Sequence, residues 1–192
     1  MSLRKLLVVA FAGLLTACGS PNGLVVSNQA QAVGGNLFIE TSSKGAQFLV
    51  LDGEITPRTS YTFLALIETA QVEGLVIAQS PGGDLLASHQ IGRAIKSRRM
   101  NTVVLISCIS ACVDVFVAGK RREMMDFAEL GVHSATNRDV AYQIDKKYWR
   151  EMGFSNINEK AYRVPNNRLW IIESKRAREL RLATDIIRTD PR

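Results

Sequence analysis

Three short stretches of the chain carry residue types that acyl-transfer chemistry requires. The glycine pair Gly82 and Gly83, the serine Ser110 and the histidine His133 each follow an apolar run that is typical of a buried strand. Alternating strands and helices place such strand ends along one edge of a parallel sheet, where α/β folds build their sites. A serine nucleophile, a histidine base and the amides of a glycine turn together perform acyl transfer. We therefore predict a hydrolase-type site at this edge.

Each of these motifs also has an ordinary structural interpretation. The segment SPGG at 80–83 is typical of a strand-to-helix turn, because proline lacks an amide hydrogen and glycine adopts positive φ. A serine at the position of Ser110 commonly caps a helix, and a histidine such as His133 is often a hydrogen-bonded structural residue. The combination is rarer than any one member and favours a site. The other histidine, His89, lies among polar neighbours in a predicted helix, so we expect it to be exposed.

The N-terminus has the pattern of a secretory signal. Two positive residues, Arg4 and Lys5, precede the apolar run 6–15, which is too short to span a membrane in the mature protein. The ending LTAC matches the bacterial lipobox, in which Cys18 becomes the lipidated first residue; an ordinary signal peptide with an incidental cysteine is the alternative. Gly19, in place of the aspartate usual in inner-membrane lipoproteins, favours an outer-membrane lipoprotein facing the periplasm. An acyl chain of the palmitate type tethers a protein without spanning the membrane.

These features divide the chain into a signal peptide at 1–17, a flexible tether at 18–35 and a single domain at 36–192. Removing the signal peptide lowers Lys+Arg from 24 to 22 against 18 Asp+Glu, which changes the net charge from +6 to +4. The basic residues cluster late in the chain and alternate with acids, which is typical of solvated helix faces or of a weak attraction to anionic headgroups. Nucleic-acid binding is not expected, because no recognised module accompanies the charge.

The apolar patterns predict repeated β-α units and hence an α/β fold with a mainly parallel sheet. The predicted helices cover 61–70, 84–97, 110 or 111 to 117, 140–152, 157–163 and 174–180. The predicted strands cover 37–39, 47–51, 75–79, 102–107, 121–125, 130–133, 169–172 and 184–187.

The order of the motifs resembles the Clp protease proteolytic-subunit superfamily, which shares the crotonase-type spiral of β-β-α units. The closest variant is a group of exported bacterial Clp-like proteins with the serine in C-x-S-A-C, which reads CISAC at 108–112 here. The resemblance covers roughly residues 47–187. It implies Ser110 as nucleophile, His133 as general base, and the amides of Gly83 and Ala111 as the oxyanion hole.

The third member of the catalytic group departs from the pattern of that family. The family carries an aspartate shortly before the last β-α-β unit, where this chain has Asn166 and Asn167. Asparagine can orient a histidine but cannot stabilise the imidazolium by charge. We assign the position to Asn167, with Asn166 as the alternative. Asp139 and Asp145 are possible substitutes, on a helix that we expect to face away from His133.

The remaining cysteines, Cys108 and Cys112, lie on either side of Ser110. In an exported protein they are expected to form a disulfide that fixes this turn. Two small buried thiols are the alternative, because the i, i+4 spacing is only marginally within bridging reach. We predict no zinc or other metal site and no cofactor, since only one histidine lies near the cysteines.

Three functions compete. The first is a membrane-tethered Clp-like serine hydrolase of the cell envelope, acting on a peptide or ester substrate. The second is a catalytically degenerate lipoprotein that binds peptides or serves envelope machinery such as a secretion or conjugative-transfer apparatus. The third, a crotonase-like acyl-CoA enzyme, conflicts with export, because acyl-CoA is cytosolic. We favour the hydrolase, contacting the membrane through its lipid anchor and assembling as a homo-oligomer or in an envelope complex.

Overall fold

The computed structural model of the chain describes residues 30–42 and 44–189, so the predicted signal peptide and Cys18 lie outside the described residues. The helices are α1 Pro57–Thr69, α2 Leu85–Arg98, α3 Ala111–Val117, α4 Arg138–Met152, α5 Ser155–Ala161 and α6 Ser174–Glu179. The strands are β1 Gln31–Gly34, β2 Leu37–Thr41, β3 Gln47–Asp52, β4 Val72–Ser80, β5 Asn101–Ile109, β6 Arg122–Met125, β7 Glu129–Val132, β8 Trp170–Glu173 and β9 Asp185–Ile187. No helix in this part of the chain combines the length and apolar character needed to cross a bilayer.

The described strands form one mixed sheet in the order β1-β2-β3-β4-β5-β6-β9. Strands β1, β2 and β3 pair antiparallel, and all pairs from β3 to β9 along this order are parallel. The sheet forks at β5, whose first half pairs with β6 while its last three residues, Ser107 to Ile109, pair with β7. Strand β8 then pairs antiparallel with β7. This confirms the predicted α/β fold with a mainly parallel sheet.

Helix α3 lies at the centre of the fold. All seven of its residues are buried, as expected for a helix that is apolar nearly all round. Helix α2, which packs against α3, begins at the cap Asp84, whose carboxylate accepts a hydrogen bond from the Ala87 amide at 2.7 Å. This cap fixes the start of α2 directly after the glycine pair.

The predicted elements agree with the structure to within a few residues at most ends, but one strand was missed. The residues 31–34 belong to the stretch that the sequence analysis assigned to the tether, yet they form β1 and pair with β2. A four-residue segment with little apolar alternation gives no strand signal by itself. Its hydrogen-bonding partner, β2, supplies the stability that its sequence lacks.

Candidate active site

The register of the sheet brings the predicted site residues to one edge. Ile109 at the end of β5 lies opposite Gly131 of β7, and Ser80 at the end of β4 lies opposite Cys108. The Ser110 amide continues this pairing by donating to the Gly131 carbonyl at 2.7 Å. The residues that follow these strands, including Ser110 and His133, therefore meet at neighbouring positions, as the sequence analysis expected for a parallel sheet.

Ser110 occupies a strained turn between β5 and α3. Its backbone has φ 56° and ψ −130°, a combination that side-chain-bearing residues rarely adopt. Its hydroxyl makes no capping hydrogen bond to the helix that it precedes, so helix capping does not account for the serine. Strain of this kind at a strand-to-helix turn is how α/β hydrolases expose a nucleophilic serine.

A disulfide closes the turn that presents Ser110. Cys108, the next-to-last residue of β5, is bonded to Cys112 in the first turn of α3, with a Cα–Cα distance of 5.3 Å. Both cysteines are fully buried. The expected pairing is thus present, and the strand end and the helix start cannot separate while the bond is intact.

Removing this disulfide is expected to destabilise the fold moderately. Loop-closure entropy for so short a loop is worth about 2 kcal/mol, so Cys112→Ala should lower the free energy of unfolding by about that amount. Urea unfolding of the variant and of the wild type, each with and without reductant, measures the effect. The reductant should destabilise only the wild type. Two thiols that alkylate freely in the native exported protein would contradict the bond.

His133 is held through its Nδ1 atom. Nδ1 lies 2.8 Å from the carbonyl oxygen of Ser134 and 3.2 Å from the side-chain nitrogen of Asn166, which also donates to the Ser134 carbonyl at 2.9 Å. When Nδ1–H donates to the Ser134 carbonyl, Nε2 is unprotonated and free to accept a proton. This Nδ1–H tautomer is the one that a general base needs. Asn166, not the predicted Asn167, contacts the histidine; Asn167 is exposed and makes no side-chain hydrogen bond among the described residues.

Ser110 and His133 line the same small cavity of about 40 Å³, with Leu85 and Val132 among its walls. Both residues are half-buried. The structure shows no hydrogen bond between them, although both line this one cavity. Catalytic hydrogen bonds in ligand-free sites are often long and tighten only when substrate binds.

The two predicted oxyanion-hole amides have no acceptor among the described residues. Ala111 is the first residue of α3, where backbone amides lack partners within the helix. Around Gly83, the Ile55 amide bonds to the Gly82 carbonyl and the Asp84 amide to the Ile55 carbonyl, which leaves the Gly83 amide unused. The loop at Gly82 lies directly against the serine turn. A Cβ added to Gly82 would lie only 2.9 Å from both the Ser110 Cβ and the Ala111 nitrogen.

Solved structures share this architecture. ClpP1 from Listeria monocytogenes superposes with a TM-score of 0.57 at 17% identity, covering 73% of this chain and 91% of that chain. The fold is of the Clp type. An asparagine-to-aspartate mutant of the same ClpP1 gives 0.53 at 16% identity, covering 73% and 90%. The 1510-N membrane-bound stomatin-specific protease, as a serine-to-alanine mutant, gives 0.52 at 14% identity, covering 72% and 77%. No protein-family model and no curated protein matches the sequence.

A buried polar cluster lies on the helices around the Ser110 turn and was missed by the sequence analysis. His89 of α2 is 1% exposed, so its predicted exposure was wrong. Its Nε2 atom lies 3.1 Å from Asp145 Oδ1 of α4 and 3.5 Å from Asp114 Oδ2 of α3. Asp145 therefore faces the core instead of away from it, but it contacts His89 and not His133. Asp139, the other proposed substitute, is exposed in the first turn of α4.

Burial and mutual attraction shift the pKa values in this cluster. Burial acts to lower the pKa of His89, but the two aspartates outweigh it and raise that pKa to about 9. Burial raises the pKa of Asp114 to about 6, against the opposing pull of His89. A signal was available in the sequence, since Asp114 is the one charged residue in an otherwise apolar helix and such a carboxylate requires a buried partner.

Proposed function

We propose that the chain is a Clp-like serine peptidase of the bacterial cell envelope, with Ser110 as nucleophile and His133 as general base. The observation that carries this proposal is the strained backbone of Ser110 at a disulfide-closed turn, with no capping role for its hydroxyl. Strained residues of this kind concentrate at functional sites. The Clp-type fold of the solved proteases supports the assignment.

The geometry suits an acyl-transfer sequence. His133 Nε2 takes the hydroxyl proton as Ser110 Oγ attacks the substrate carbonyl, and the resulting oxyanion accepts hydrogen bonds from the Gly83 and Ala111 amides. The imidazolium then protonates the leaving amine, and a water molecule hydrolyses the acyl-enzyme by the same route. The Ser134 carbonyl and Asn166 orient the imidazole, while no carboxylate contacts Nδ1.

A cleft beside the serine turn can hold an extended substrate. It has a volume of about 580 Å³ and is lined by the end of β4 with Pro81 and by the end of β5, including Ile109 next to Ser110. Clefts of a few hundred Å³ bind ligands much larger than a simple ester group. This volume supports a peptide over a compact ester as the substrate class.

Fluorophosphonate labelling of the purified full-length chain in detergent tests the proposal. The wild type should acquire one covalent label per chain, located on Ser110 by peptide mass spectrometry, and Ser110→Ala should acquire none. Ser97→Ala, which removes an exposed serine from α2, is the matched control and should label like the wild type. A folded wild type that does not label, or that labels at another serine, would refute the nucleophile.

A non-catalytic peptide-binding lipoprotein is the second candidate. Two observations favour it. The side chain beside His133 Nδ1 is the uncharged amide of Asn166, and Ser110 makes no hydrogen bond to His133. Replacing the triad aspartate by asparagine lowers kcat by about 10⁴-fold in serine proteases. Peptide binding by an unlabelled wild type, undiminished by Ser110→Ala, would establish this candidate. Assembly into a homo-oligomer or envelope complex stays a prediction.

We also propose that Cys18 carries the acyl chains that hold the domain at the outer membrane. The lipobox LTAC supports this anchor. Cys18→Ser should abolish lipid attachment and leave an uncleaved or soluble exported form. Fractionation of membranes, metabolic labelling with palmitate and the mass of the mature N-terminus measure the effect. Processing and fractionation that do not change in this variant would rule out the anchor.

A further inference from the structure

Three helices place potential metal ligands at one buried point. His89 of α2, Asp114 of α3 and Asp145 of α4 each offer one ligand atom, and these atoms lie within 4.8 Å of one another. All three residues are more than nine-tenths buried. One imidazole nitrogen and two carboxylate oxygens form a ligand set that divalent transition metals accept.

Two of the three distances between these atoms match those around a shared ion. Around a tetrahedral zinc with bonds of about 2.0–2.1 Å, neighbouring ligand atoms are about 3.3 Å apart. His89 Nε2 lies 3.1 Å and 3.5 Å from the two carboxylate oxygens. Despite these short distances, Nε2 makes no hydrogen bond of acceptable geometry to either oxygen. Ligands of one ion have this relation, because each points at the ion and not at its neighbour.

The cluster has more buried negative charge than His89 can balance. The described side chains that also contact the two carboxylates are uncharged. Tyr162 donates to Asp145, and the Ser88 hydroxyl, which donates to the Leu85 carbonyl at 2.7 Å, lies 3.4 Å from Asp114. The nearby guanidinium of Arg93 is paired with Glu151 and lies over the Tyr148 ring. Two buried carboxylates with one imidazole favour a divalent cation, which neutralises both while the histidine is uncharged.

The surroundings of the cluster fix the ring plane of His89 and hold Asp145, whereas His89 Nδ1 has no partner among the described residues. The Tyr148 ring stacks on His89 with centroids 3.9 Å apart and planes within 2°, and the Tyr148 hydroxyl donates to the Asp114 carbonyl at 2.6 Å. The Tyr162 hydroxyl holds the second oxygen of Asp145. Fixed ring orientation and hydrogen-bonded carboxylates are what metal ligands require from their neighbours.

An unpartnered amide gives independent support. Asn158 of α5 is 1% exposed, and neither its oxygen nor its nitrogen has a hydrogen-bond partner among the described residues. It lines the same 40 Å³ cavity as Asp114 and Asp145. Buried polar groups are rarely left without a partner, so an unpaired amide facing this cavity indicates a ligand there. The cavity is large enough for a water molecule as a further ligand.

We propose that His89 Nε2, Asp114 Oδ2 and Asp145 Oδ1 bind one divalent transition-metal ion of the zinc type, with the Asn158 side of the cavity completing its coordination. The ion would join α2, which follows the oxyanion glycines, to α3, which follows Ser110, and to α4. Such a site acts by fixing these helices, and it does not depend on whether Ser110 is a nucleophile. The sequence analysis considered only the cysteine pair for zinc and so missed these ligands.

Metal titration of the tag-free, chelator-treated full-length chain tests the site. Zn²⁺ should bind at one ion per chain by calorimetry, and Co²⁺ should give visible absorption bands that Zn²⁺ abolishes. His89→Asn and Asp145→Asn should each weaken Zn²⁺ binding by at least about 10-fold, the lower end of the loss seen even for outer-shell changes. His133→Ala removes the only other histidine and should bind Zn²⁺ within about 2-fold of the wild type.

Measurements on the wild type alone test the metal site if a cluster variant does not fold. Stoichiometric Zn²⁺ should raise its thermal unfolding midpoint, as expected for a ligand of the native state, and excess chelator should reverse the rise. No stoichiometric binding by the folded wild type would overturn the proposal. Binding that His133→Ala abolishes, or that the two cluster variants retain in full, would equally overturn it by placing the ion elsewhere.

Discussion

His133→Ala is expected to slow the reaction of Ser110 with a fluorophosphonate by about 10²–10⁴-fold, the usual contribution of a general base. A serine hydroxyl is a weak nucleophile until a base removes its proton. His133 is the histidine that lines the cavity with Ser110, and its Nδ1 contacts leave Nε2 free for proton transfer. The measurement is the second-order labelling rate, compared with that of the wild type at one pH.

Two asparagine variants show whether the loss arises from the catalytic group. Asn167→Ala removes an exposed side chain that makes no contact with the histidine and should leave the labelling rate within about 2-fold. Asn166→Ala removes the amide that lies beside His133 Nδ1 and donates to the Ser134 carbonyl, and should slow labelling by less than His133→Ala does. An unchanged rate in a folded His133→Ala would exclude this histidine as the base. A loss confined to Asn167→Ala would restore the original sequence-based assignment.

The main features of the site could be predicted because they follow from short-range sequence patterns and from strand direction. Apolar runs identify buried strands, and strands of one parallel sheet end at the same edge. Gly82, Ser110 and His133 follow three neighbouring strands, so their proximity needs no knowledge of side-chain packing. The disulfide was expected from the predicted export alone, because the i, i+4 spacing is only marginally within bridging reach and left two buried thiols as the alternative.

The buried cluster could not be predicted in the same way. His89 is flanked by polar residues in the sequence, but the face of α2 that carries it packs against α3 and α4, and helix packing is a long-range property. Asp145 belongs to a helix whose other acids are exposed, so its charge alone suggested solvent. The choice between Asn166 and Asn167 depended on the path of an irregular loop, for which no periodic pattern exists.

Gly82→Ala is expected to lower the free energy of unfolding by about 2–5 kcal/mol, the sum of left-handed backbone strain and of overpacking. The backbone at Gly82 has φ 93°, which an alanine adopts only at a cost. The added Cβ would also lie 2.6 Å from the Ile109 carbonyl oxygen and 2.9 Å from the Ser110 Cβ. These neighbours belong to the disulfide-closed turn, so the added Cβ fits only if that turn shifts. The shift should displace Ser110 and abolish its labelling.

Gly153→Ala separates the two contributions. Gly153 ends α4 with a similar φ of 91°, but a Cβ there would meet nothing within 4 Å. It should therefore lose only about 1–2 kcal/mol, from backbone strain, and keep its labelling rate. Urea unfolding and fluorophosphonate labelling of both variants give the comparison. If the two variants lose equal stability and Gly82→Ala still labels, the glycine loop does not constrain the serine turn. Gly82 would then be required only for its backbone conformation. A larger loss at Gly82, accompanied by loss of labelling, is what the contact between the glycine loop and Ser110 requires.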